Sequence, residues 1–108
     1  MQQADIYWSP EERSIVSSVL NRAYDREVTA TMDCVRKMAS NISQIEDVWK
    51  LHDFLSAKRH DIDGKYDDRE SFLIFTLSKL IKDELLDLSD LEGLAADKRA
   101  KVSVLTRM

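Results

Sequence analysis

Apolar residues at Ile15, Val16, Val19, Leu20 and Ala23, continued by Val28, Met32, Val35, Ala39 and Ile42 at alternating steps of four and three, trace one face of an α-helix. The spacing predicts a long amphipathic helix, and "SPEE" marks its start. Ser9 is placed as the N-cap, Pro10 takes the first helical position, and Glu12, three residues after the serine, completes a capping box. Trp8, just ahead of the cap, is positioned to pack as a hydrophobic staple.

No glycine or proline interrupts residues 11 to 63, so a single helix of about 50 residues and about 80 Å can be drawn. The polar run Asn41 to Ser43, followed by a second capping-box pattern in "SQIE" from Ser43 to Glu46, predicts a junction and a second helix reaching Asp63. One helix cannot bury so long a stripe. The segment must fold back or meet a second chain, and dimerisation is the favoured solution.

Gly64 is expected to end the second helix, and "DDRE" from Asp67 to Glu70 to start a third. That third helix is apolar nearly all round, through Phe72, Leu73, Ile74, Phe75, Leu77, Leu80, Ile81, Leu85 and Leu86, as befits an element buried on most sides. Because Phe72 and Phe75 lie only about 60° apart on such a helix, both need not be buried, and one can lie in the core with the other outside as an anchor. "SDLE" (Ser89 to Glu92) and Asp97 then start two short helices around Leu91, Leu94, Val102 and Leu105. The predicted fold is all-α, a single domain over residues 1–108, with a two-helix stalk at 9–63 and a compact helical head at 66–108. Strand alternation, internal repeats and low-complexity tracts are absent from the sequence.

Composition narrows the function. The 108 residues are 44% hydrophobic and 33% charged with a net charge of -4, acids and bases interspersed, which suits one globular domain and excludes the basic face that nucleic acid requires. A single cysteine, Cys34, expected as a small buried or half-buried hydrophobe, fits a reducing cytoplasmic setting. The N-terminus lacks a basic start and an apolar run, and no stretch approaches the roughly 20 apolar residues of a membrane span. A soluble protein is expected, with peripheral membrane attachment left open.

Candidate chemistry concentrates in "WKLHDFLSAKRHDIDGKYDDR", Trp49 to Arg69, which holds both histidines. On a helix at about 100° per residue, Val48, Leu51, Leu55 and Ile62 form a core stripe, and Phe54 lies opposite the polar one. That polar stripe carries Ile45, Trp49, His52, Asp53, Ser56, Arg59, His60 and Asp63. His52 and His60 are about 12 Å apart along the axis and cannot share a metal ion. With two glycines in the chain and no loop to form a pocket, neither an enzyme nor a small-molecule substrate site is expected. A solvated helix face is the plain alternative, but Trp49 and Arg59 beside a core stripe are the residue types that anchor interfaces. Asp53 and Arg59 point about 120° apart and cannot pair within one helix. In an antiparallel twofold pair of helices centred near Ser56, Asp53 would meet Arg59 of the second copy and His52 would meet His60.

"ISQIEDVWKLHDFLSAKRHDIDGKYDDR", an apolar helix after it and "LEGLAADK" closely resemble the cyanobacterial fluorescence recovery protein family. The likeness takes in Trp8 and Ser9, then most of the chain from Tyr24 to Lys101; helix one before Tyr24 matches only in character. The resemblance implies an all-helical homodimer, with a tetramer also open, that carries no pigment or other cofactor. It implies that the partner is the orange carotenoid protein, whose red, light-activated form quenches the phycobilisome. Binding chiefly to its C-terminal domain would hasten return to the orange form and restore fluorescence, in the cytoplasm or peripherally on the thylakoid surface. The implied functional patch is Trp49, His52, Asp53 and Arg59, with Phe75 and Lys101 in the head. The implied dimer interface is Val48, Trp49, Leu51, His52, Asp53, Leu55, Ser56 and Arg59. A homodimeric adaptor for a different protein is the alternative reading.

Overall fold

A computed structural model describes residues 6–108. It is all-helical among those residues: α1 (Pro10–Ser40), α2 (Ile45–Lys65), α3 (Leu73–Lys82) and α4 (Ala96–Thr106), with short 3-10 turns at Glu70–Phe72 and Leu88–Leu91. The chain measures 53 × 23 × 23 Å.

The first helix starts where the capping box predicts. Ser9 Oγ accepts from the Glu12 N–H at 3.1 Å, and Glu12 Oε1 accepts from the Ser9 N–H at 3.1 Å. The helix ends at Ser40, and the chain folds back through Asn41–Gln44 into α2. The cap of α2 is shifted by one residue from the expected Ser43. Asp47 reaches back and accepts from the Ser43 N–H at 3.0 Å and the Gln44 N–H at 3.3 Å, which makes Gln44 the N-cap. At its other end α2 runs through Gly64 to Lys65, because the ion pairs of Lys65 described below hold that last turn in place.

The third helix is shorter than its apolar run suggests. It stops at Lys82, where Glu84 adopts a left-handed φ of 62°. The Leu85 N–H then bonds the Leu80 carbonyl at 2.9 Å, and the Glu84 N–H bonds that of Ile81 at 2.9 Å. This is a Schellman ending built on glutamate instead of glycine. "DDRE" likewise does not cap a helix: Asp67 accepts from the Arg69 N–H at 3.1 Å, and the 3-10 turn precedes α3. At the next junction the capping residue is Asp87 instead of Ser89.

The core joins the two ends of the chain. Trp8, Val16, Val19, Leu20 and Ala23 pack with Leu73, Ile74, Leu77, Leu80, Leu86, Leu91, Leu94 and Val102. The first half of α1 is thus part of the same cluster as the C-terminal segments. Trp8, read as a staple, is instead 1% exposed in that cluster, with Lys98 Nζ 5.0 Å from its ring centroid.

Glu12 ties this arrangement together. Beyond its capping bond it accepts from the Ala95 N–H at 2.9 Å and from Lys98 Nζ at 2.9 Å, so one carboxylate serves the N-termini of α1 and α4. Burial alone would push its pKa up. The Ala95, Lys98 and Ser9 donors outweigh that and hold it down at about 2. A folded-state pKa below the unfolded value means stability that is present above about 4.5 and lost as pH falls toward 2. Urea unfolding of wild type and Glu12→Gln should therefore differ clearly at pH 6 and converge near pH 2. A gap unchanged over that range would show that the Glu12 charge does not support the fold.

Candidate functional site

α1 beyond Glu27 and α2 as far as Gly64 contain no buried residue. The hairpin they form is attached to the rest through a polar cluster centred on Glu27, which is 2% exposed. Lys58 Nζ donates to its Oε2 at 2.8 Å and Lys65 Nζ at 2.7 Å, while the Tyr66 hydroxyl donates to Oε1 at 2.7 Å. Lys65 also pairs with Asp61 and Asp83, each at 2.9 Å, and is the one buried residue of α2. Tyr24 meets Tyr66 edge-on with ring centroids 5.4 Å apart.

The electrostatics follow from the geometry. Burial would raise the Glu27 carboxyl, but the Lys58, Lys65 and Tyr66 donors keep it below the ordinary range. Burial would lower the Lys65 ammonium, but Glu27, Asp61 and Asp83 hold it above the usual lysine value. The Tyr66 phenol is pushed up by burial and by donating to Glu27.

These anchors set which way α2 faces. Lys58 and Lys65 turn toward Glu27, and Leu51, Phe54 and Ile62 lie half-buried on the same side. The inward face is wider than the expected stripe: Phe54, placed opposite the polar stripe, joins it, and of the expected core residues only Leu55 is exposed, at 41%. Val48 and Leu55 sit at the edge of the inward face, next to the polar stripe.

On the outward face Trp49 is 58% exposed, and His52, Asp53, Ser56 and Arg59 are exposed with it. His52 Nδ1 lies 3.4 Å from Asp53 Oδ1. Among the described residues Arg59 makes no ion pair, so Asp53 and Arg59 are not joined within the chain. The structure brings the other two predicted residues together. Phe75 on α3 and Lys101 on α4 line one apolar groove of about 410 Å³ with Ile74 and Val104. That groove is separate from the outward face of α2.

Phe72 and Phe75 are both exposed, so neither takes the place in the core that was open to one of them. Cys34 is exposed as well, on the unburied half of α1. Among the described residues, no group of three His, Cys, Asp or Glu side chains could hold a metal ion, and no helix is long and apolar enough to cross a membrane.

The Glu27 cluster is not among the features expected from the sequence, though two signals for it are present. Glu27 continues the buried stripe Val16, Leu20, Ala23 at helical spacing, so an acid lands on an apolar face. Lys58 is also the residue a hairpin turning between Ile42 and Ser43 puts opposite it.

Residues 8–106 match the family model of the photoprotection regulator fluorescence recovery protein. The fluorescence recovery protein of Synechocystis sp. is 47% identical over 108 residues, covering 100% of this chain and 99% of that one. Its solved structure superposes with a TM-score of 0.91 at 48% identity, covering 94% of this chain and 100% of that chain. The Fremyella diplosiphon fluorescence recovery protein superposes with a TM-score of 0.92 at 47% identity, over 94% and 100% of the two chains. With its capped first helix, its outward-facing α2 stripe and its shared core all falling within these matches, the chain belongs to the fluorescence recovery protein family of photoprotection regulators.

Proposed function

We propose that this chain binds the red, photoactivated form of the orange carotenoid protein, chiefly through that protein's C-terminal domain, and accelerates its return to the orange form. Phycobilisome quenching then ends and antenna fluorescence recovers. The chain acts as a homodimer, in which the α1–α2 hairpin is the stalk and the shared core the head, in the cytoplasm at the thylakoid surface. Trp49, His52, Asp53 and Arg59 serve the stalk interface and Phe75 and Lys101 the partner. Within the stalk, Val48, Leu51, Leu55 and Ser56 complete the seam.

The observation that carries the reading is the outward face of α2. Trp49 and Ile45, with Leu55 at the edge, are exposed large apolar side chains on a helix whose only buried residue is Lys65, and an exposed tryptophan on the same face as an arginine is the combination that anchors interfaces. No bond chemistry is needed. A helper that holds the closing arrangement of its partner more tightly than the open red state speeds the change by that difference, and each tenfold gain takes about 1.4 kcal/mol.

The test is to add the purified chain to photoconverted carotenoid protein in the dark and follow the red-to-orange absorbance change. Acceleration that saturates with the chain's concentration is expected. Unchanged kinetics would overturn the proposal and favour an adaptor for another protein.

A further inference from the structure

Phe72 and Phe75 are 42% and 48% exposed on the outward edge of the α3 segment. Lys79 and Lys82 continue that edge at helical spacing, both exposed. Phe72 is exposed and yet fixed. The Arg69 guanidinium carbon stands 4.3 Å from its ring centroid, and Asp67 grips that arginine, accepting from Nη2 at 2.6 Å and from Nε at 3.0 Å. An aromatic ring already held in place loses little conformational freedom on binding, which is the property of an interface anchor.

A groove of about 420 Å³ runs between Phe72, Phe75 and the end of α2 at His60 and Gly64. A Cβ at Gly64 would meet nothing within 4 Å, so the floor there is open. Phe75 is also a wall of the groove that holds Lys101, so its ring stands between the two grooves. The acids of the Phe72 groove are already engaged, Asp61 by Lys65 and Asp67 by Arg69. Asp83 divides its carboxylate between Lys65 at 2.9 Å and Lys79 at 3.1 Å, and Lys82 has no ion pair among the described residues. The edge therefore presents two aromatic rings followed by Lys79, already shared with Asp83, and Lys82, unpaired among the described residues.

We propose that Phe72 is a second aromatic anchor beside Phe75, positioned by the Asp67–Arg69 pair, and that the groove between them receives an apolar side chain of the partner flanked by a carboxylate facing Lys82. This rests on the reading above that the partner is the carotenoid protein. The test measures the affinity of the full-length chain for photoconverted carotenoid protein, with the thermal midpoint of each variant in parallel. Phe72→Ala should weaken binding about tenfold with little change in the midpoint, because the ring is not part of the core. Arg69→Ala, which leaves the ring but frees it, should weaken binding about threefold, and Lys82→Glu should weaken it most at low salt. Binding of Phe72→Ala within twofold of wild type would overturn the anchor while leaving the proposed function standing. A wild-type chain that does not bind would overturn the proposed function and, with it, the occupant named here.

Discussion

Glu27→Ala should lower the unfolding free energy by about 3–5 kcal/mol, the cost of removing one partner from a buried ion pair. The substitution leaves Lys65 buried and takes from Lys58 and Tyr66 their shared acceptor. Lys65 keeps Asp61 and Asp83, which places the expected loss toward the lower end of that range. A domain of this size has roughly 5–15 kcal/mol in all, so the thermal midpoint should fall by on the order of 10–20 °C. Glu27→Gln keeps the volume and an acceptor for Tyr66 but not the charge, and should cost about half as much. Glu27→Leu combined with Lys65→Met should recover much of the loss, since a packed apolar pair can replace a buried ionic one. Denaturant unfolding followed by circular dichroism reads all three. A loss below about 1 kcal/mol for Glu27→Ala would mean that water serves the lysines as well as the carboxylate does.

Asp53→Arg should raise the dissociation constant of the proposed dimer by about a hundredfold or more. In the antiparallel register centred near Ser56, the substitution sets a guanidinium at position 53 against that of Arg59 in the second copy. The twofold axis repeats the clash, and like charges in contact cost several kcal/mol. Both residues are exposed and unpaired with each other within the chain, so the single-chain fold should keep its helicity. Arg59→Asp should behave alike, and the double variant with both changes should restore the dimer, because the pair is then reversed and not removed. Sedimentation against concentration separates the cases. A fully dimeric single variant, or a double variant no tighter than either single one, would rule out this register.

The legible parts of the fold were those encoded locally. The Ser9 to Glu12 box started α1 where its sequence says, because both halves of the motif lie within one turn. The break after Ser40 was visible as a polar run between two apolar stripes. The end of α3 was not legible: Glu84 takes a conformation usually given to glycine, imposed by the packing of Leu86 into the core and not by any residue preference. Gly64 misled in the opposite direction. A helix passes through it because Lys65 is anchored on two neighbouring elements.

The outward face of α2 was legible in composition and, apart from Leu55, in phase. Periodicity places Leu55 within an apolar arc and Phe54 opposite the polar stripe, but the lysines at 58 and 65 centre the contact on Glu27, and this leaves Leu55 at the exposed edge. No hydrophobicity pattern contains that information, since the deciding residues are charged and their partner lies on another helix. The same holds for Phe72, whose exposure depends on a turn where the sequence suggests a helix.

From residue 28 to residue 64 nothing is buried within the chain, while the core residues all lie outside that interval. Substitutions therefore divide by position into two classes with separate costs. Those in the outer segments change how much folded protein a cell retains, through stability and turnover. Those on the outward face of the hairpin, away from Lys58, Asp61 and the half-buried Leu51, Phe54 and Ile62, leave abundance nearly untouched and change only what the folded chain can assemble with. Its surface can thus drift and adapt to a changing partner at a rate set by recognition alone, without first having to satisfy the requirements of folding.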